Sequence, residues 1–212
     1  MVTLTTSSGF ALTRLQAVSD SAGDLPCPLV VMDTAPAAVL GASFDLAVSQ
    51  RKQKIIANIG NFHTLAFRLG EAGIEGVFEH HTGEINLQRL EELLKALADS
   101  SLRHEDVFND MGHGALMYSK DKFEFGKDDF DVVVTGPRRS MYVTDDHRPE
   151  TENHGQPSSV LRPYFAAPFG DMMIAGCFGL LAATAEIMPD LTEAVSKSMR
   201  DAGVGRPPWE VD

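Results

Sequence analysis

Three stretches of the chain carry side chains that could grip a phosphate, hold a metal or move a proton. The first is Asn58-Ile-Gly-Asn-Phe-His-Thr64. A glycine turn between two strands exposes backbone N–H groups, and the Asn, His and Thr side chains add further donors. Such a turn can cradle phosphate oxygens, although an ordinary hairpin turn has the same composition. The second is a histidine group: His63, then Glu79-His-His-Thr82, then Asp110-Met-Gly-His-Gly114. Imidazole and carboxylate suit a divalent metal, and a histidine near neutrality can shuttle protons. The metal set read from this group is His80, His113, Asp110 and Glu79, with His63 in a catalytic role beside them. Successive residues of a strand point to opposite faces, so only one of His80 and His81 can enter a single site. The spacing matches no zinc signature, and hydrogen-bonded structural histidines are the alternative. The third is Gly136-Pro-Arg-Arg-Ser140, at the end of a β-branched run. Glycine there lets a ligand approach the backbone, and Arg138 or Arg139 could stack on a base or pair with a phosphate. A solvated basic turn is again the alternative.

The elements that must position these residues follow from periodicity. Ile55–Ile59, Thr64–Leu69 and Ile74–His80 read as three strands joined by tight glycine turns, an antiparallel meander in which Leu65, Phe67 and Leu69 share one face. Leu87–Ala98 has leucines at helical spacing with Asn86 as its cap. Asp131–Thr135 is a strand, Tyr164–Ala167 a further candidate, and Gly170–Ile187 a helix packed through small residues. Before the meander, Gly9–Ala22 reads as a helix and Leu29–Met32 as a buried strand. Asp33 or Thr34 then caps a helix with Pro36 in its first turn. Asp106–Met117 fits no single pattern, 145–163 reads as a loop, and 204–212 as an irregular tail.

Composition narrows the function classes. The 212 residues are 43% apolar and 23% charged, which is ordinary for a globular chain and not for a disordered one. A formal charge of −12 argues against a nucleic-acid or anionic-membrane partner, because phosphate contacts need clustered Lys and Arg. No apolar run is long enough to span a bilayer, and no signal peptide precedes the first helix, so a cytoplasmic location is expected. The two cysteines, Cys27 and Cys177, lie in apolar surroundings and read as reduced core thiols.

The order strand, helix, three strands, helix, strand, helix resembles the C-terminal half of the actin-like ATPase and sugar-kinase superfamily. Asp33-Thr-Ala-Pro-Ala-Ala-Val-Leu-Gly-Ala42 is similar to the sugar-kinase segment that carries the catalytic aspartate. Asn58–Thr64 resembles the second phosphate loop, Val132–Ser140 the adenosine motif, and Gly170–Ala183 the final small-residue helix. The chain also resembles a prokaryotic family of domains of unknown function. Its marks stand here as Gly60-Asn-Phe-His-Thr-Leu-Ala-Phe67, Phe78-Glu-His-His-Thr-Gly83 and Gly112-His-Gly-Ala115. Members are sometimes labelled pyruvate formate-lyase activating enzymes. That activity needs a CxxxCxxC iron–sulfur motif, which two distant cysteines cannot supply.

The superfamily resemblance implies an α/β fold, a ribonuclease H-like half with a mixed sheet whose first three strands are antiparallel and flanked by helices. It implies 1–53 as the tail of a preceding half-domain and 54–203 as the C-terminal domain. No Asp-x-Gly phosphate loop precedes Asp33, so a missing N-terminal half-domain is the expected partner. It also implies ATP and Mg2+ as cofactors. Asp33 would act on the acceptor, while Gly60, Asn61 and Thr64 would hold phosphates and Gly136 and Arg138 the adenosine. A metal-dependent enzyme using a transition metal in the His/Glu/Asp group, or a non-catalytic assembly domain, are the competing expectations.

Overall fold

A computed structural model describes residues 13–142 and 161–201. The chain forms α1 (Thr13–Ser21), α2 (Thr34–Ala42), α3 (Leu46–Ser49), β1 (Lys54–Ile59), β2 (His63–Gly70) and β3 (Gly73–His81). There follow α4 (Leu87–Ala98), α5 (His104–Phe108), β4 (Gly114–Met117), β5 (Val132–Thr135), β6 (Pro163–Phe165), α6 (Ala175–Ile187) and α7 (Pro189–Asp201). The strands make one mixed sheet in the order β4-β3-β2-β1-β5-β6. As the glycine turns predict, β1, β2 and β3 are antiparallel neighbours, and β5 and β6 then add in parallel beside β1.

Both faces of the sheet are covered, so its central strands are apolar on both sides. Ile55, Ala57 and Ile59 of β1 and Val132 and Val134 of β5 face α4, whose Leu90, Leu93, Leu94 and Leu97 are fully buried. Each such leucine contributes roughly 2 kcal/mol of burial. Asn86 caps α4 by accepting the Arg89 N–H at 2.9 Å. The opposite face, with Ile56, Phe67 and Val133, packs against Val39, Ala42 and Val48 of the α2–α3 segment. These helices lie before residue 53, yet they pack on this sheet. Asp45 ties them to β6: it accepts the Ala47 N–H at 3.0 Å, the Tyr164 hydroxyl at 2.8 Å and the Ala167 N–H at 2.9 Å. Burial, and then the Asp45 carboxylate, push the Tyr164 hydroxyl up to about 12, which keeps it a donor.

Helix α6 lies against α2 at backbone contact. A Cβ on Gly41 would overlap the Ala175 carbonyl, and one on Gly179 would overlap that of Ala37. The small residues read in both helices therefore serve each other.

Four expectations change. Leu29–Met32 is half-buried but forms no strand, because an apolar run signals burial and not pairing, and none of the six strands takes it as a neighbour. Cys27 and Cys177 are exposed free thiols, not core residues. The ambiguous 106–117 stretch splits into the end of α5, a turn and the edge strand β4. Helix α7 follows α6 where no element was expected. Residues 9–12, most of the 145–163 loop and the 204–212 tail lie outside the described residues. No helix among the described residues is long and apolar enough to cross a membrane.

Candidate functional site

The carboxyl ends of β1 and β5, which lie side by side in parallel, open onto a cleft of about 1500 Å³. Ligands of open α/β sheets commonly sit beyond the carboxyl ends of the strands. Asp33, Gly60, Asn61, His63, Glu79 and Gly136 all line this cleft, although they come from segments far apart in sequence.

The floor is the α2-facing side of the sheet. Alternation along β2 puts His63 on the same side as Leu65, and alternation along β3 puts Glu79 and His81 together. His63 and His81 are directly paired across the ladder. His113 enters from the turn before β4, where its N–H donates to the Glu79 carbonyl at 2.9 Å. The three imidazoles converge: ring centroids are 5.0 Å apart for His63–His81, 4.9 Å for His63–His113 and 4.5 Å for His81–His113. One nitrogen from each lies within 4.8 Å of the others. Glu79 Oε1 sits 3.2 Å from His63 Nδ1.

Next along the floor come Asn58 of β1 and Thr135 of β5, paired in register, 8% and 1% exposed. Neither side chain has a hydrogen-bond partner among the described residues, and both line the cleft. Gly136, at φ 98°, ends β5 beside them; a Cβ there would come within 2.5 Å of the Ile59 carbonyl oxygen. The wall is built by the first turns of α2 and α6. Asp33 caps α2, accepting the Ala35 N–H at 3.4 Å, and meets the exposed Arg14 guanidinium at 3.4 Å. The α6 N-terminus has no side-chain cap, and its Ala175 and Gly176 line the cleft.

Other residues singled out from sequence lie elsewhere. Thr64 is fully buried on the α4 side, where its hydroxyl and that of Thr82 share a 2.9 Å hydrogen bond. His80 also points to that side. Its Nδ1 meets the His81 carbonyl at 3.0 Å, and its Nε2 stands 3.5 Å from Asp110. Asp110 is held by Arg89 at 2.6 Å, and that hydrogen bond keeps its carboxyl below the usual range. The structure thus groups His113 and Glu79 with His81 and His63, and leaves His80 and Asp110 as a separate pair under α4. Arg138 is exposed and does not line the cleft; its backbone N–H donates to the Ile59 carbonyl at 3.0 Å. Sequence reasoning passed over Thr135 and the α6 N-terminus. The pairing of Thr135 with Asn58 is a ladder register, which no local pattern announces.

A family model described as "Putative pyruvate format-lyase activating enzyme (DUF1786)" matches residues 3–141, more than half of the chain. No curated protein and no solved structure matches it.

Proposed function

We propose, for a chain that belongs to the DUF1786 family, that the cleft binds a phosphorylated small molecule of the nucleoside-phosphate kind and that the domain is the C-terminal half of an actin-like phosphotransferase or ATPase. One observation carries this reading: Asp33, the Gly60–His63 turn and Gly136 line one cleft at the carboxyl ends of two central parallel strands. The antiparallel β1–β3 meander, followed by strands added in parallel beside β1, supports the superfamily resemblance.

The donors present fit a phosphate. The Asn58 amide, the Thr135 hydroxyl and the Gly176 N–H are buried or recessed, lack partners among the described residues and border the cleft. A helix N-terminus adds its positive end. Gly136 lets the end of β5 lie against the Ile59 carbonyl, at the part of the cleft lining where a sugar or base would lie. Mg2+ takes oxygen ligands, which the phosphate oxygens, water and Glu84 at the cleft would supply; it would neutralise phosphate charge. Asp33 would orient the acceptor hydroxyl and take its proton. The cleft exceeds the usual range of about 300–1,000 Å³ for one small ligand, leaving room for an acceptor.

The activity in the family's description requires a radical iron–sulfur cluster, and the two cysteines of this chain cannot ligate one. Calorimetric titration with ATP and Mg2+ tests the reading. ATP should bind, and Asn58→Asp should weaken it by about tenfold or more by setting a carboxylate against the phosphate. Wild-type protein that binds neither ATP nor ADP at millimolar concentration would sink it.

A further inference from the structure

We propose that His63, His81 and His113 bind one divalent transition-metal ion of the zinc class, with Glu79 as its supporting carboxylate. This goes beyond the nucleotide reading, which calls for Mg2+ on oxygen ligands. Three imidazoles from three separate segments reach one point on the cleft floor, with ligand nitrogens within 4.8 Å of one another. On bonds of about 2.1 Å to a tetrahedral ion, such nitrogens stand about 3.4 Å apart. Rotation of the rings about their side-chain bonds supplies the closure, since His63 and His81 are partly exposed and His113 is exposed.

The surroundings favour a metal over a structural network. A histidine that merely fixes a turn spends a ring nitrogen on a nearby carbonyl, as His80 Nδ1 does with the His81 carbonyl on the other face. The His81 and His113 rings have no hydrogen-bond partner among the described residues, and their ring contacts are with each other and His63. His63 Nδ1 faces Glu79 at 3.2 Å, leaving Nε2 as its free nitrogen. A carboxylate on the far nitrogen of a ligating histidine is the usual device that fixes tautomer and ring orientation. The backbone reinforces the pose, because His113 N–H is bonded to the carbonyl of that same Glu79. Three neutral nitrogen ligands suit zinc, copper, nickel or iron and discriminate against Mg2+ and Ca2+. Such a set leaves a fourth position open to the cleft, the arrangement of a reactive centre and not of a closed structural one.

The experiment is metal binding by the purified full chain. After chelator treatment and dialysis, Zn2+ and Co2+ are titrated separately by calorimetry, with cobalt absorption as the second readout. Wild-type protein should bind one equivalent of each and show the visible bands of nitrogen-ligated cobalt. His81→Ala and His113→Ala should each weaken binding at least about tenfold, and Glu79→Gln by about 10–100-fold. His113→Gln, with circular dichroism, covers the case in which an alanine variant fails to fold. His104→Ala, an exposed histidine that does not line the cleft, should leave binding unchanged. No binding of either ion by wild type overturns the proposal, as does equal affinity in the folded His81 and His113 variants. ATP titration of the metal-free protein separates this outcome from the fate of the nucleotide reading.

Discussion

Arg68 has no exposed side-chain surface. Its guanidinium donates to Glu75 at 2.8 Å, to the Ala98 carbonyl at 2.8 Å and to Ser100 Oγ at 2.9 Å, so it closes the C-terminus of α4 against the sheet. Cutting Glu75 back to alanine leaves a buried cation without its anion, and should cost about 3 kcal/mol in urea unfolding. Asp131 gives a pH signature. Burial opposes its ionisation, but hydrogen bonds from the Arg162 side chain and backbone and from the Gly126 N–H outweigh it, and its carboxyl is held below the usual range. A depressed carboxyl stabilises the fold above its unfolded value of about 3.9 and loses that contribution as pH falls toward its lower folded value. Denaturant titrations should therefore show a falling acid limb below about pH 4 that is shallower in Asp131→Asn. At this scale the sequence was partly legible. Leu65, Phe67 and Leu69 on one face already place His63 with them and turn Thr64 away. No such guide exists on β3, where Val77 and Phe78 are both apolar because helices cover both faces; choosing between His80 and His81 needs the pairing with His63.

Between elements, the tightest joint is α2 on α6. Alanine at Gly41 or Gly179 would drive a methyl group into the opposing backbone, where no flexible side chain can yield. The helices must separate, at a cost of about 1–3 kcal/mol or more, and a fall in melting temperature of several degrees should report it. Because Ala35 and Ala38 of α2 and Ala175 and Gly176 of α6 line the cleft, the same variants should also weaken ATP binding. Element existence was readable wherever period and cap agreed, as at α4, where the leucine spacing and Asn86 give the observed bounds. It was not readable at Leu29–Met32, because forming a strand depends on an available neighbour and not on the apolar run itself.

For the molecule as a whole, a ligand that binds only the folded state raises its stability by mass action. At about a hundred times the dissociation constant this amounts to about 2.7 kcal/mol. For a chain of 212 residues that means a rise in melting temperature of roughly 5–10 °C. Differential scanning calorimetry should show such a rise with Zn2+ and its reversal by a chelator; an unshifted transition at saturating Zn2+ would contradict the metal centre. Convergence of Asp33, Gly60 and Gly136 was legible only through the order of motifs, because composition says nothing about which strand ends meet. The α6 contribution to the cleft was not legible at all: a helix start without a capping side chain leaves no mark in the sequence.

The alternation along β3 also governs which mutations this chain can survive. His80 and His81 are chemically identical neighbours with opposite duties, one under α4 beside Asp110 and the other over the cleft beside His63. Their duties are assigned by the parity of the count along the strand. Losing one residue between Ile74 and Glu79 would hand the cleft to His80 and bury His81, while the Glu-His-His-Thr string still read as intact. Drift by substitution is therefore open to this strand, whereas drift by insertion or deletion is closed to it, and lineages that carry the histidine pair should differ in length only outside β2 and β3.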